Sequence, residues 1–292
     1  MPELPEVEVT RRQISGLLLG RTIERVETTA PSYFFLTRPT VLVKRLTGRA
    51  VRTLERRGKY LIATLDDGAS LLLHLGMTGQ LFAAGSSSLR LLSSTAGATL
   101  SPERQLAAFE PDAHTHLRVT FTDRGPGLYF RDARKFGKVQ WLAPGERSAR
   151  LDKLGVDALA ATGEDLHAAA RKRSAPIKTV LLDQHVLAGV GNIYADEALF
   201  LAAVKPTRAA RTLSLERCSA IVAAAQQVML RSIETGGSSI NDYVRPDGSD
   251  GGYQDERRVY AREGEACSRC GGRIKRVVLG TRSSFFCPKC QR

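Results

Sequence analysis

The chain has 292 residues, enough to bury a sizeable core in two or three units. Its 43 Lys+Arg against 30 Asp+Glu give a net charge of +13 and a pI near 9.9. That excess favours a polyanionic partner such as nucleic acid or an anionic membrane surface. No run approaches the ~18 apolar residues of a bilayer span, and acids at Glu3, Glu6 and Glu8 argue against a signal peptide, so a cytoplasmic protein is expected.

The first residues are Met1-Pro2-Glu3-Leu4-Pro5. Once Met1 is removed, Pro2 carries a free secondary amine. An α-amino group titrates near pH ~8, well below lysine, so a useful fraction is nucleophilic at neutral pH. Its adduct with a carbonyl-type carbon is an iminium that remains an electron sink. The two prolines otherwise read as an arm without regular structure. Residues 1–148 are β-rich. Leu117, Val119 and Phe121 alternate with polar residues, and the apolar runs 60–65 and 70–75 flank Asp66-Asp67-Gly68, a hairpin turn. Residues 83–108, rich in Ser, Ala and Thr, read as a long surface insertion.

Residues 149–234 are helical. Thr162-x-x-Asp165 predicts a capping box, and Leu215, Cys218, Ile221, Val222, Ala225, Val228 and Met229 predict one buried stripe, which makes Cys218 a core thiol. Between these helices, Gly189-Val190-Gly191-Asn192 predicts a tight turn and a helix starting at Asn192 or Ile193. That start reads as a phosphate site or as an ordinary helix-turn-helix. In 235–292, the Gly/Ser/Asp-rich stretch 236–252 predicts a mobile loop. Cys267-x-x-Cys270 and Cys287-x-x-Cys290 follow, separated by 16 residues. In a reducing compartment this spacing predicts one four-thiolate structural zinc site with no open position for catalysis. Arg273, Lys275, Arg276 and Arg282 make the finger basic.

Five motifs follow one another over essentially the whole chain. They are PELPEVE from Pro2, His74-Leu75-Gly76-Met77-Thr78-Gly79, Arg134-Lys135-Phe136-Gly137, Gly189 to Tyr194, and the cysteine finger. In this order they resemble the formamidopyrimidine-DNA glycosylases, bacterial enzymes that remove oxidised purines such as 8-oxoguanine. The resemblance implies an α+β protein. It would have an N-terminal catalytic β-sandwich (1–148), a helix-two-turns-helix domain (149–234), and a lesion-covering loop with a four-cysteine β-hairpin zinc finger (235–292), with a DNA cleft between the parts. It implies a monomer with one structural Zn2+, no membrane role, and double-stranded DNA containing oxidised bases or abasic sites as substrate. The enzymes of this family cut the glycosidic bond and then the strand, by β- and δ-elimination.

By position, the resemblance makes Pro2 the nucleophile at C1′ and Glu3 the proton carrier at the sugar. It assigns Lys59 to β-elimination and Arg282 to the later elimination. A guanidinium stays charged, which favours phosphate gripping for Arg282; Lys59 taken alone reads as a solvated strand lysine. His114, Arg134, Arg173, Lys178, Asn192 and Arg282 fall on phosphate-contact positions. Met77, Arg134 and Phe136 fall on positions that fill the void left by the extruded base. Met77 and Phe136 read equally as core residues, and His114-Thr115-His116 as a metal pair lacks a third ligand. Three departures stand out: no proline or second arginine in Asp132-Ala133-Arg134-Lys135-Phe136, no proline in Leu154-Gly155-Val156-Asp157, and the long 83–108 insertion. Two other readings remain. An endonuclease VIII-type glycosylase for oxidised pyrimidines is disfavoured by Leu4 and by the Met77, Arg134, Phe136 set. A non-catalytic zinc-finger DNA-binding protein leaves the PELPE start unexplained.

Overall fold

A helix forms where the two prolines argued for an irregular arm. α1 spans Leu4–Leu18, and Pro5 falls in its first turn, where a missing N–H breaks no helical bond. The Glu3 N–H donates to Glu6 Oε2 at 2.8 Å, closing the helix start. Val7, Ile14 and Leu18 on one face enter the main core. The computed structural model describes residues 2–86, 109–240 and 243–292; Met1, residues 87–108 of the insertion, and 241–242 lie outside them. The chain divides into two compact units, 1–148 with 235–254, and 149–234 with 255–292.

The first unit continues with β1 (Ile23–Thr28), α2 (Pro39–Leu46), β2 (Val51–Arg57), β3 (Tyr60–Leu65), β4 (Ser70–His74), β5 (Gly79–Ala83), β6 (Thr115–Phe121), β7 (Leu128–Asp132) and β8 (Lys138–Leu142). They form two four-stranded antiparallel sheets, ordered β1-β6-β7-β5 and β2-β3-β4-β8. Leu117, Val119 and Phe121 of one sheet share a core with Leu61, Ala63 and Leu65 of the other, as period-2 patterning requires of a sandwich. Between β3 and β4, Gly68 takes φ +81° and Asp67 Oδ1 accepts the Ala69 N–H at 3.1 Å, which makes the expected hairpin turn. Ala83, the first residue of the expected insertion, is the last of β5 and pairs with Leu128.

The described residues of 235–254 pack with this unit. Ser238 N–H donates to Glu6 Oε1 at 2.9 Å and Ala83 N–H to Pro246 O at 3.3 Å, while Tyr243 and Val244 are buried. Glu8 is also buried, with Arg11 and Arg12 at 2.8 Å and Arg56 at 3.3 Å. Burial opposes its charge, but the hydrogen bonds from Arg11 and Arg12 prevail and hold the carboxyl at about 2. A value depressed below that of the unfolded chain stabilises the fold above about pH 4.5, and the contribution is lost as pH falls towards 2. Glu8→Gln should therefore cost about 1–3 kcal/mol at pH 7 and flatten the loss of stability between these pH values, as read from urea unfolding at a series of pH.

The second unit contains β9 (Val156–Asp157), α3 (Gly163–Ala170), α4 (Ile177–Leu182), β10 (Leu187–Ala188), α5 (Asn192–Leu201), α6 (Leu215–Glu234), β11 (Lys275–Leu279) and β12 (Arg282–Phe286). The expected capping box is present at α3: Asp165 N–H donates to Thr162 Oγ1 at 3.3 Å, and Thr162 N–H to Asp165 Oδ2 at 2.8 Å. The α6 stripe is buried from Cys218 to Met229, but Leu215 at its start is exposed. The short parallel pair β9–β10 was not anticipated, and β11–β12 is the antiparallel finger hairpin. Among the described residues, no helix is long and apolar enough to cross a membrane.

Candidate active site and nucleic-acid interface

In the first unit, Pro2 and Glu3 are buried at the head of α1. One carboxylate fixes this segment: Glu6 accepts the Glu3 N–H through Oε2 and the Ser238 N–H through Oε1, at 2.8 and 2.9 Å. Lys59 follows Gly58 (φ +57°) in the turn between β2 and β3 and is only 7% exposed, so it is not a solvated strand lysine. His114 lies half-buried in the turn before β6, its N–H donating to Asp112 Oδ1 at 3.0 Å. His116 is buried, with Nε2 2.9 Å from Asp132 O and Nδ1 3.1 Å from Thr29 Oγ1. Burial lowers its pKa, so the ring is neutral, donating from Nε2 and accepting at Nδ1. Both nitrogens are engaged, which removes the metal-pair reading.

Asp132, fully buried, folds the loop that follows it. It accepts hydrogen bonds from the Thr78 hydroxyl, the Arg134 N–H (3.3 Å) and the Gly137 N–H (2.6 Å). Lys135 is held at φ +57°, a conformation that costs a non-glycine residue roughly 1 kcal/mol or more. Gly76, at φ +63°, lies against this loop: a Cβ there would come within 2.4 Å of Phe136 C and Gly137 N. The Met77 and Arg134–Phe136 segments are thereby brought side by side. The Arg134 guanidinium lies 4.7 Å from the Phe136 ring centre. Phe136 is 41% exposed, which sets aside the core reading for it, and Met77 is half-buried.

In the second unit, Gly189 takes φ +110°, and Gln184 braces the turn by accepting the Gly189 N–H and donating to Val190 O, both at 2.9 Å. Asn192 is the first residue of α5, half-buried. Arg173 pairs with Asp183 at 2.6 Å. Lys178 is 0% exposed, held between Asp196 Oδ1 (2.7 Å) and Ser283 O (2.8 Å), and Asp196 Oδ2 accepts the Phe285 N–H at 2.9 Å. Burial pushes the Asp196 carboxyl up to about 7, against the pull of Lys178. This arrangement does not offer the direct phosphate contact expected of Lys178. Its ammonium instead fastens β12, one residue from the exposed Arg282. Glu197, also buried, accepts the N–H groups of Arg258 (2.8 Å), Val259 (2.9 Å) and Tyr260 (2.9 Å).

The sulfurs of Cys267, Cys270, Cys287 and Cys290 all lie within 4.8 Å of one another, with Cys267–Cys290 at 3.9 Å and Cys270–Cys287 at 3.5 Å. A tetrahedral ion with Zn–S bonds of about 2.3 Å spaces its sulfurs about 3.8 Å apart, so the set fits one structural zinc. Cys218 is separate, and burial in α6 pushes its thiol up to about 11. Sequence reasoning missed Glu6, Asp132, Gln184, Asp196 and Glu197 as organisers. Only Asp196-Glu197 left a signal, two adjacent acids in the otherwise apolar Ile193–Leu201 run.

Residues 1–139 match the formamidopyrimidine-DNA glycosylase N-terminal domain, 154–244 its H2TH domain, and 264–292 the zinc finger found in FPG and IleRS. A formamidopyrimidine-DNA glycosylase of Ruegeria pomeroyi is 39% identical, and one of Paracoccus denitrificans 41%, each over 100% of both chains. The crystal structure of the MutM (Fpg) protein of Thermus thermophilus aligns with a TM-score of 0.82 at 37% identity, over 99% of this chain and 98% of that one. A Lactococcus lactis FPG mutant in complex with Fapy-dG-containing DNA aligns with a TM-score of 0.83 at 32% identity, over 100% of both. With three domain matches in order and relatives aligned from end to end, the chain belongs to the formamidopyrimidine-DNA glycosylase family.

Proposed function

We propose that this protein is a bifunctional DNA glycosylase and abasic-site lyase of base excision repair, acting in the cytoplasm on oxidised purines in double-stranded DNA. The observation that carries the proposal is the buried Pro2-Glu3 pair at the head of α1, in a family whose Lactococcus member is complexed with Fapy-dG-containing DNA. With Met1 removed, the Pro2 nitrogen attacks C1′. The N–C1′ bond forms, the glycosidic C–N bond breaks, and the departing base takes up a proton. Glu3 protonates the ring oxygen, which opens the sugar to an iminium. Loss of a C2′ proton expels the 3′-phosphate, with Lys59 assisting. A second elimination expels the 5′-phosphate, and water then hydrolyses the iminium to free Pro2.

Met77, Arg134 and Phe136 occupy the gap left by the extruded nucleotide, and Arg134 also meets the orphaned base. His114, Arg134, Arg173, Asn192 and Arg282 grip phosphates, in keeping with the net charge of +13. Lys178 serves this grip by holding the strand that presents Arg282. The zinc holds the finger fold and takes no part in bond making. Borohydride treatment tests the reading: a covalent complex should be trapped with a duplex carrying 8-oxoguanine opposite cytosine. Binding without a trapped adduct on any lesion would overturn the enzyme assignment. Faster trapping on thymine glycol would move it to the endonuclease VIII type.

A further inference from the structure

Tyr33 is an aromatic side chain 58% exposed to solvent, yet it is held in place. Its hydroxyl donates to the Arg134 carbonyl at 2.6 Å, and the Lys138 ammonium lies 4.9 Å from its ring centre. The same ammonium donates to the carbonyls of Phe136 (3.3 Å) and Gly137 (2.9 Å). The loop 134–137 is therefore fastened from two sides. Asp132 takes its N–H groups from the protein interior, and Tyr33 and Lys138 donate to its carbonyls from the surface. The Tyr33 contact falls on the peptide that joins Arg134 to Lys135, the residue held at φ +57°. A left-handed non-glycine conformation persists only where its surroundings over-determine it. Without the hydroxyl that peptide keeps only the bond from the Lys135 N–H to Asp132 O (3.2 Å), so its carbonyl is no longer fixed and the backbone that carries the Arg134 side chain is held from the interior alone.

We infer that Tyr33 is a positioning residue for Arg134 and thereby sets the choice of base opposite the lesion. This rests on the proposed role of Arg134 at the orphaned base. Tyr33→Phe removes one hydroxyl from an exposed ring and leaves the ring under Lys138. The measurement is the ratio of excision rates for 8-oxoguanine opposite cytosine and opposite adenine, with Tm recorded alongside and Arg134→Ala as the reference. Tyr33→Phe should lower the ratio by about threefold to tenfold, the effect of one lost hydrogen bond, with Tm unchanged; Arg134→Ala should lower it further. A ratio altered by Arg134→Ala but not by Tyr33→Phe would overturn the inference alone. A ratio altered by neither would overturn the Arg134 reading and the inference with it. A ratio that falls only together with Tm would make Tyr33 structural, which also overturns it.

Discussion

Pro2→Gly is expected to lower the yield of borohydride-trapped complex by about 100-fold or more, with affinity for the lesion duplex little changed. A glycine terminus keeps an amine that titrates in the same range, so basicity is not what is lost. The proline ring ties the nitrogen into a five-membered ring on its own Cα at the buried head of α1 and fixes the direction of its lone pair, whereas a glycine amine rotates freely about N–Cα and only a few of its orientations aim at C1′. Its primary amine also gives an imine that can shed its proton, which weakens the electron sink needed for elimination. Glu3→Gln separates the second role. The Glu3 N–H still reaches Glu6, so the helix start is kept, but the side chain can no longer carry a proton, and turnover should fall by about 10²–10⁴-fold. While Met1 is attached, the Pro2 nitrogen is an amide and does not attack, so the trappable fraction should equal the fraction lacking Met1 by intact mass. Trapping of Pro2→Gly at the wild-type rate would overturn the role assigned to the proline ring.

Removing zinc is expected to unfold the finger and abolish duplex binding. Structural zinc in isolated fingers is worth about 10–16 kcal/mol, and the apolar cluster around this site is small: Val259, Ile274, Phe285 and two of the cysteines against Phe200. Arg282 and the other basic residues of the hairpin would lose their fixed positions with it. The helical body should persist at reduced stability: the buried stripe of α6 and the capped start of α3 remain, while Asp196 and Lys178 lose the Phe285 N–H and the Ser283 carbonyl. In hydrogen exchange after chelation, or in Cys287→Ser, amide protection should disappear over 264–292 and persist in α6. Duplex binding at full affinity by zinc-free protein would refute the structural role of the four cysteines.

What was legible in the sequence was local. The Asp66-Asp67-Gly68 turn, the alternation in β6, the Thr162 cap and the two CxxC pairs each write their geometry within a few residues. The N-terminal helix was misread because proline discourages helix interiors but suits a first turn. The partners of buried charges were invisible for a different reason. Glu6 meets Ser238 across 232 residues, and Lys178 reaches Ser283 across 105. From the sequence, Lys178 is a cation in a basic chain; only the fold shows that Asp196 has enclosed it. Phe136 could not be assigned to core or surface until Asp132 was seen folding its loop outward.

Asp196 and Glu197, neighbours in α5, point their carboxylates at two different stretches of the finger segment, β12 and residues 258–260. The finger is therefore not an exchangeable part. A finger grafted from another protein would have to offer backbone N–H groups to both carboxylates and a carbonyl to Lys178. Failing that, the graft would strand charges inside the helical body, at a cost of several kcal/mol each. The scaffold that carries the finger has been shaped around it as closely as the cysteines are shaped around their metal.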